Sequence, residues 1–342
     1  MPTGRSPMTV AWHTWPRRHG LVALEICAVA ALYYGSAELG LLQQLVRGQV
    51  TPLWPPSGIA LASLLLLGRR VWPGIAIGAF LTNVWLGPSV LSVLAIAAGN
   101  TLAPLCSYAL LRRVGFRHEM NRLRDALALI FLGAFTGMLV SSTIGTGTLV
   151  LTGVLDAGDF WPTWSVWWTG DAMGVLAVTP VLLLLRSARW PRGAPPSRWA
   201  EGILLLAATL CVGIVETSNT PLLFLGFPLL IWAAFRFQLA GAAPCALAVS
   251  TFAIIAAGQK AGPFAGHDLF TNMITLQAFN GSASLTALLL AAAVSERAQA
   301  EKEIALACRQ LASMVTMISS SDSHPTLPAG EEERAARDTA RK

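Results

Sequence analysis

Ser89-Val90-Leu91-Ser92-Val93-Leu94-Ala95-Ile96-Ala97-Ala98-Gly99-Asn100-Thr101-Leu102-Ala103-Pro104-Leu105-Cys106-Ser107-Tyr108-Ala109-Leu110-Leu111 runs for 23 residues without a charge and then meets Arg112 and Arg113. As a helix it rises about 35 Å, enough to cross the hydrocarbon of a bilayer. Comparable runs lie on both sides of it, at residues 20–42, 53–68, 71–86, 125–151, 163–185, 198–215, 221–234, 239–257 and 269–294. The pattern predicts an all-α, polytopic membrane helix bundle. The segments at 53–68, 71–86 and 221–234 are short and read as tilted half-helices or re-entrant pieces, leaving about eight to ten crossings.

Composition agrees. The chain has 342 residues, of which 54% are apolar and 12% charged, against about 25% charged in a soluble domain. Mean hydropathy is +0.58. A soluble enzyme with a polar surface and a disordered chain are both excluded. The net charge of +6 comes from 24 cations, 21 of them arginine, in short clusters between the apolar runs. Such clusters signal topology and contact with anionic headgroups, so the expected partner is the lipid bilayer and not nucleic acid.

Placing the N terminus inside and alternating the ten segments puts Arg47 and Lys260 outside and the other 22 of the 24 cations inside. Asp156, Asp159, Glu216 and Asp268 also fall outside. This is the asymmetry of the positive-inside rule, and it predicts both termini in the cytoplasm. The first apolar run is read as a retained helix rather than a cleaved signal peptide, because the chain goes on crossing. Trp161, Trp164, Trp167 and Trp168 are expected to anchor the outer interface, and Trp190 and Trp199 the inner one.

Little supports catalysis. Four of the cysteines, Cys27, Cys106, Cys211 and Cys245, fall in apolar runs and read as small packing residues, and Cys308 follows in a polar helix. His13, His19, His118, His267 and His324 all lie outside the spans, so a membrane haem or a zinc site lacks ligands. There is no phosphate-binding loop and no nucleophile elbow. No enzyme activity, cofactor or metal is expected.

The candidate functional residue is Asp171, in Thr169-Gly170-Asp171-Ala172-Met173-Gly174. An ionisable residue inside a span costs a few kcal/mol and is a functional candidate for that reason. No cation lies within two turns of it, so its partner must come from another helix. Packing, ligand contact and conformational switching all remain open for it. Asn83, Asn100 and Arg236 are lesser candidates, and the two amides also read as glue between helices. Pro55, Pro56, Pro104, Pro180, Pro228 and Pro244 enter or interrupt spans. Thr51-Pro52-Leu53 opens the second segment and Thr220-Pro221-Leu222 the eighth, a faint likeness between two short segments that each end in arginine.

After Val294 the character changes. Ile304, Ala307, Leu311, Met314 and Ile318 recur at intervals of 3, 4, 3 and 4, a heptad seam. The expected organisation is a cytoplasmic segment 1–19, a membrane domain 20–294, a cytoplasmic amphipathic helix 295–319 and a disordered tail 320–342. The seam fits pairing with a second copy or with a cytoplasmic signalling protein, or else lying on the headgroups with Arg297, Lys302 and Arg309.

An ordered set of motifs resembles a known family. It comprises Trp54-Pro55-Pro56-Ser57-Gly58, then Gly68-Arg69-Arg70-Val71-Trp72-Pro73-Gly74, Gly78-Ala79-Phe80-Leu81-Thr82-Asn83 and Gly99-Asn100-Thr101. It continues with Gly170-Asp171, Gly174, Thr179-Pro180, Pro228 to Arg236, Leu276-Gln277 and Glu296-Arg297. Together they are similar to the first type of bacterial membrane-associated sensor domain, MASE type one, over about residues 21–297. The resemblance implies an inner-membrane sensory input module. Family members usually carry a C-terminal histidine kinase, diguanylate cyclase or cyclic-di-GMP phosphodiesterase domain, and this sequence stops after the connecting helix, so an output domain is expected to act in trans. A small-molecule transporter, or the membrane subunit of one, is the alternative, which the heptad seam disfavours.

Overall fold

The computed structural model describes residues 15–41, 51–87, 89–187, 195–218 and 222–321. The expected N-terminal segment up to residue 14, Arg47, Arg189, Trp190, Arg192 and the tail from residue 322 lie outside the described residues. Among the described residues there are helices and turns and no strand. Seven helices among the described residues are long and apolar enough to cross a membrane. The chain divides into two compact units, Met1–Ser295 and Glu296–Lys342.

In the first unit, α1 (Trp15–Leu41) is followed by α2 (Pro55–Leu67), α3 (Trp72–Asn83) and α4 (Val90–Arg113). Then come α5 (Leu123–Ala128), a π-helical turn (Leu129–Thr136), α6 (Leu139–Leu151) and α7 (Phe160–Ser187). α8 (Pro196–Glu216), α9 (Gly226–Phe237), α10 (Leu239–Gly258) and α11 (Leu269–Ser321) complete the chain. α2, α3 and α9 have 13, 12 and 12 residues. At about 1.5 Å per residue they reach less than 20 Å, short of a full crossing.

Side-chain contacts gather the arginine-bearing helix ends. Arg70, just past α2, donates to Glu25 of α1 at 3.0 Å. Arg124 of α5 donates to the Val114 carbonyl after α4 at 2.9 Å. Arg236 at the end of α9 donates to Glu201 near the start of α8 through Nε at 2.5 Å and Nη2 at 2.6 Å. Large apolar side chains such as Leu24, Leu39, Ile203 and Ile214 are left about two-thirds exposed on α1 and α8. Hydrocarbon is a suitable solvent for such faces and water is not.

Packing depends on close backbone approach. α2 lies against α7 with glycine on both sides: a β-carbon at Gly58 would strike the Gly174 carbonyl, and one at Gly174 the Trp54 carbonyl. The extended lead into α2 is pinned to the interior of α7, because Trp54 N–H donates to the Gly170 carbonyl at 2.9 Å. α3 crosses α1 at Gly74, against the Ile26 carbonyl, and at Gly78, against the Tyr33 ring.

The run read as one span at 125–151 contains a π-helical turn. Widening the helix frees carbonyls, and neighbouring side chains take two of them. Ser107 of α4 donates to the Gly133 carbonyl at 2.7 Å, and Trp168 of α7 donates through Nε1 to the Phe135 carbonyl at 2.8 Å.

Three expectations are corrected here. The four outer tryptophans do not act as one group. Trp161, which is 70% exposed, Trp164 and Trp168 lie on one face of α7 and pack in series, with ring centroids 5.8 and 5.9 Å apart. Trp167 turns away from them and faces inward over Gly145. Of the span cysteines only Cys245 is buried, and Cys27 and Cys211 are on outward faces. Glu216 is fully buried and not an outer-loop acid, because α8 extends one residue further than the apolar run and includes it.

In the second unit, the described residues continue α11. Ile304, Ala307, Leu311, Met314 and Ile318 are all exposed, and so are Leu306 and Val315 beside the seam. Arg297 pairs with Glu301 at 3.0 Å, one turn on.

Candidate functional site

Asp171 lies about 16 Å along α7 from Phe160 and is 1% exposed. Its two carboxylate oxygens are held by different helices. Ser57 Oγ, in the first turn of α2, donates to Oδ1 at 2.5 Å. Ser141 Oγ, in the first turn of α6, donates to Oδ2 at 2.5 Å. One side chain thus joins α2, α6 and α7.

The local sequence explains this. Pro55 and Pro56 begin α2 and have no N–H, so the buried helix start leaves few stranded donors. The positive end of the α2 dipole faces the carboxylate. The motif glycines at Gly170 and Gly174 let the Thr51–Trp54 backbone pass directly over α7. Thr179, one turn beyond Val175 and beside Pro180, donates to the Gly58 carbonyl at 3.0 Å and closes the α2–α7 contact.

A cleft of about 30 Å³ adjoins Asp171, room for about two water molecules. Thr51, Trp54 and Trp167 form its walls, with Asn83 of α3 and Asn100 of α4, and Leu86 and Gly87 lie at its edge. Asn83 donates to the Ala79 carbonyl of its own helix at 2.8 Å. The Asn100 Oδ1 atom and the Tyr33 hydroxyl are buried without a hydrogen bond of normal geometry. Tyr33 has Asp171, Trp54 and Asn100 as neighbours. A buried carboxylate, two indoles and two unbonded polar atoms can hold water, a proton or a small polar group.

The structure therefore brings Asp171, Asn83 and Asn100 together. Arg236 is elsewhere: it ends α9, paired with Glu201, to which Trp232 Nε1 also donates at 3.2 Å. Of the motif residues, Trp54, Pro55, Pro56, Gly58, Gly170 and Gly174 build the site. Gly68, at φ +86°, ends α2 before exposed Arg69, and Trp72, Pro73 and Gly74 start α3. Gln277, Glu296 and Arg297 belong to α11. Reading the sequence did not single out Ser57, Ser141 or Tyr33, and it took Trp167 for an interface anchor. Ser57 stood inside a quoted motif, whereas Ser141 and Tyr33 carry no signal apart from their position on the helices.

A family model described as MASE1 matches residues 24–298. The chain belongs to the MASE1 family. It is a multi-pass membrane sensor domain, and the Asp171 cleft lies within the matched span. Over 200 residues this MASE1 chain is 28% identical to the probable diguanylate cyclase DgcE of Escherichia coli (strain K12), a likeness covering 55% of this chain and 17% of that relative. Most of the relative thus lies outside the likeness. No solved structure matches.

Proposed function

We propose that this MASE1 chain is the sensory input module of a cyclic-di-GMP or histidine-kinase pathway in the bacterial inner membrane, with both termini cytoplasmic. The signal acts at the Asp171 cleft and leaves through α11 to a cytoplasmic output protein. The observation that carries the reading is the carboxylate shared by Ser57 and Ser141. A group that ties three helices together beside a cleft changes their relative positions when its bonding changes, and a two-state element of that kind is what signalling needs. The likeness to a probable diguanylate cyclase supports cyclic-di-GMP as the output.

Asp171→Asn keeps the shape and removes the charge. Carried at the native locus, it is expected to change cellular cyclic-di-GMP by about fivefold, the lower end of ordinary coupling energies, while protein still accumulates in the membrane. Unchanged cyclic-di-GMP and an unchanged kinase-dependent response would reduce Asp171 to a packing residue.

The output path has its own test. Leu311 is 60% exposed on a stripe that favours pairing. With Cys308 removed, Leu311→Cys is expected to cross-link efficiently in native membranes under mild oxidation, to a second copy or to a cytoplasmic partner. Absence of any cross-linked species would count against the stalk.

A further inference from the structure

Arg69-Arg70-Val71-Trp72-Pro73 leads into α3, and α4 ends on Arg112 and Arg113. The link between the two helices spans only residues 84–89, so they run antiparallel and their arginines come to the same side of the bundle. Between α3 and α4 lies an open groove of about 680 Å³, within the usual size of a ligand pocket, about 300–1,000 Å³. Small side chains make room for it: Ala76 of α3, and Ala97, Ala98 and Thr101 of α4. The Thr101 hydroxyl donates back to the Ala97 carbonyl at 2.7 Å, so it adds little polarity. Trp72 and Leu105 bound the arginine end, and Phe80 and Leu94 the other. From Trp72 to Phe80 is about 12 Å, most of one leaflet in a bilayer whose hydrocarbon is about 30 Å thick. Trp72, Leu94 and Leu102 are about half exposed, so the groove opens sideways to the lipid.

The arginine end is charged. Arg69 lies one turn before Trp72, whose N–H donates to the Arg69 carbonyl. Arg112 follows Ala98 and Leu105 at steps of seven, which returns to the same face of α4. Leu105 and Tyr108 pack on the apolar cluster that contains Val71, the last residue of the arginine turn. The end of α4 therefore stands beside that turn. Arg69 and Arg112 are both exposed. Glu25 meets the charge of Arg70 at 3.0 Å, whereas neither Arg69 nor Arg112 takes part in a described ion pair.

We propose that this groove is a site for an anionic phospholipid, with one acyl chain in the groove and the phosphate held by Arg69 and Arg112. Basic clusters at grooves between membrane helices favour anionic headgroups, and a guanidinium matches a phosphate with two parallel N–H bonds. A zwitterionic lipid carries its own ammonium against the phosphate, which weakens the attraction. The length of the groove favours a lipid over a partner helix. A transmembrane helix runs through both leaflets, whereas the groove closes at Phe80 and Leu94, near the end of α3. The leaflet is the cytoplasmic one in the topology proposed above, but the site itself depends neither on that topology nor on the Asp171 reading.

The test is native mass spectrometry of the purified chain in detergent, with phosphatidylglycerol or phosphatidylcholine of the same acyl chains titrated in. One retained phosphatidylglycerol is expected at concentrations where phosphatidylcholine leaves the chain bare. Arg69→Gln and Arg112→Gln should each raise the phosphatidylglycerol midpoint about fivefold. Arg186→Gln, an exposed arginine at the end of α7, should leave the midpoint unchanged, which separates a site from general charge attraction. Ala98→Phe fills the groove from an exposed position and should abolish retention of the lipid; the arginine variants keep the test open if it does not fold. Asp171→Asn should bind the lipid as the wild type does, so the signalling reading can fail independently. Equal retention of the two lipids overturns the proposal, and so does wild-type binding by the Arg69→Gln, Arg112→Gln double variant. A lipid-free dimer that Ala98→Phe dissociates would overturn it too, by giving the groove to a second copy.

Discussion

Gly174→Val is expected to abolish accumulation of the folded protein in the membrane. The reason is local and steric. A β-carbon at Gly174 would overlap the Trp54 carbonyl oxygen. That oxygen is backbone, and the Trp54 N–H is bonded to Gly170 at 2.9 Å, so the segment has no room to retreat. Moving it away would also draw Ser57 off Asp171. Overpacking usually costs about 1–3 kcal/mol when side chains can give way. Here both parties are main chain, and a loss above about 4 kcal/mol is expected, enough to unfold a marginally stable bundle. Immunoblotting of the membrane fraction would show it. Gly20→Ala, where a β-carbon meets nothing within 4 Å, is the matched control and should accumulate normally. Normal levels and normal melting of Gly174→Val would mean that α2 does not lie on α7 as described.

The second large effect concerns Ser57 and Ser141 together. Ser57→Ala with Ser141→Ala strips both hydroxyl donors from a carboxylate that is 1% exposed and leaves it only the Trp167 indole. Removing partners of a buried charge typically costs about 3–5 kcal/mol, because the charge remains and most of its compensation does not. Each single variant leaves one hydroxyl, so the double variant should lose more than the two singles combined. Adding Asp171→Leu should then recover most of the lost stability, since an apolar replacement of a whole buried polar group is often close to neutral. That triple variant should fold and melt near the wild type but give no signalling response. Thermal unfolding in detergent reads the first part and cellular cyclic-di-GMP the second. A double variant as stable as the wild type would show that the serines do not hold the carboxylate.

Much of the fold was legible because the membrane makes hydrophobic runs long and breaks them with arginine. The short segments at 53–68, 71–86 and 221–234 could be read as short from the distance between their polar ends. Asp171 was conspicuous as a carboxylate deep in an apolar run. The same rule failed for Glu216, whose run ended one residue before it, so a buried acid looked like a loop acid. Ser57 and Ser141 were not legible, because serine is ordinary in membrane helices and only the tertiary pairing of α2, α6 and α7 gives it a partner. Trp167 was hidden by its neighbours: four tryptophans close together resemble a belt, and which of them turns inward depends on helix rotation.

The π-helical turn at Leu129–Thr136 has a consequence for the angular phase of everything beyond it. Such a turn holds one more residue than the α-helix it interrupts, like a spare tooth in a gear. Each residue advances an α-helix by about 100°. The widened turn absorbs the extra residue, so winding the same residues as a regular α-helix would make α6 emerge turned by about that angle. Ser141 would then sweep away from the Asp171 oxygen it bonds, and Ser142 or Val140 would be presented in its place. The widened turn is therefore what clocks α6 to the carboxylate, and Ser107 and Trp168, by holding the loosened carbonyls, are the pawls that keep it from slipping.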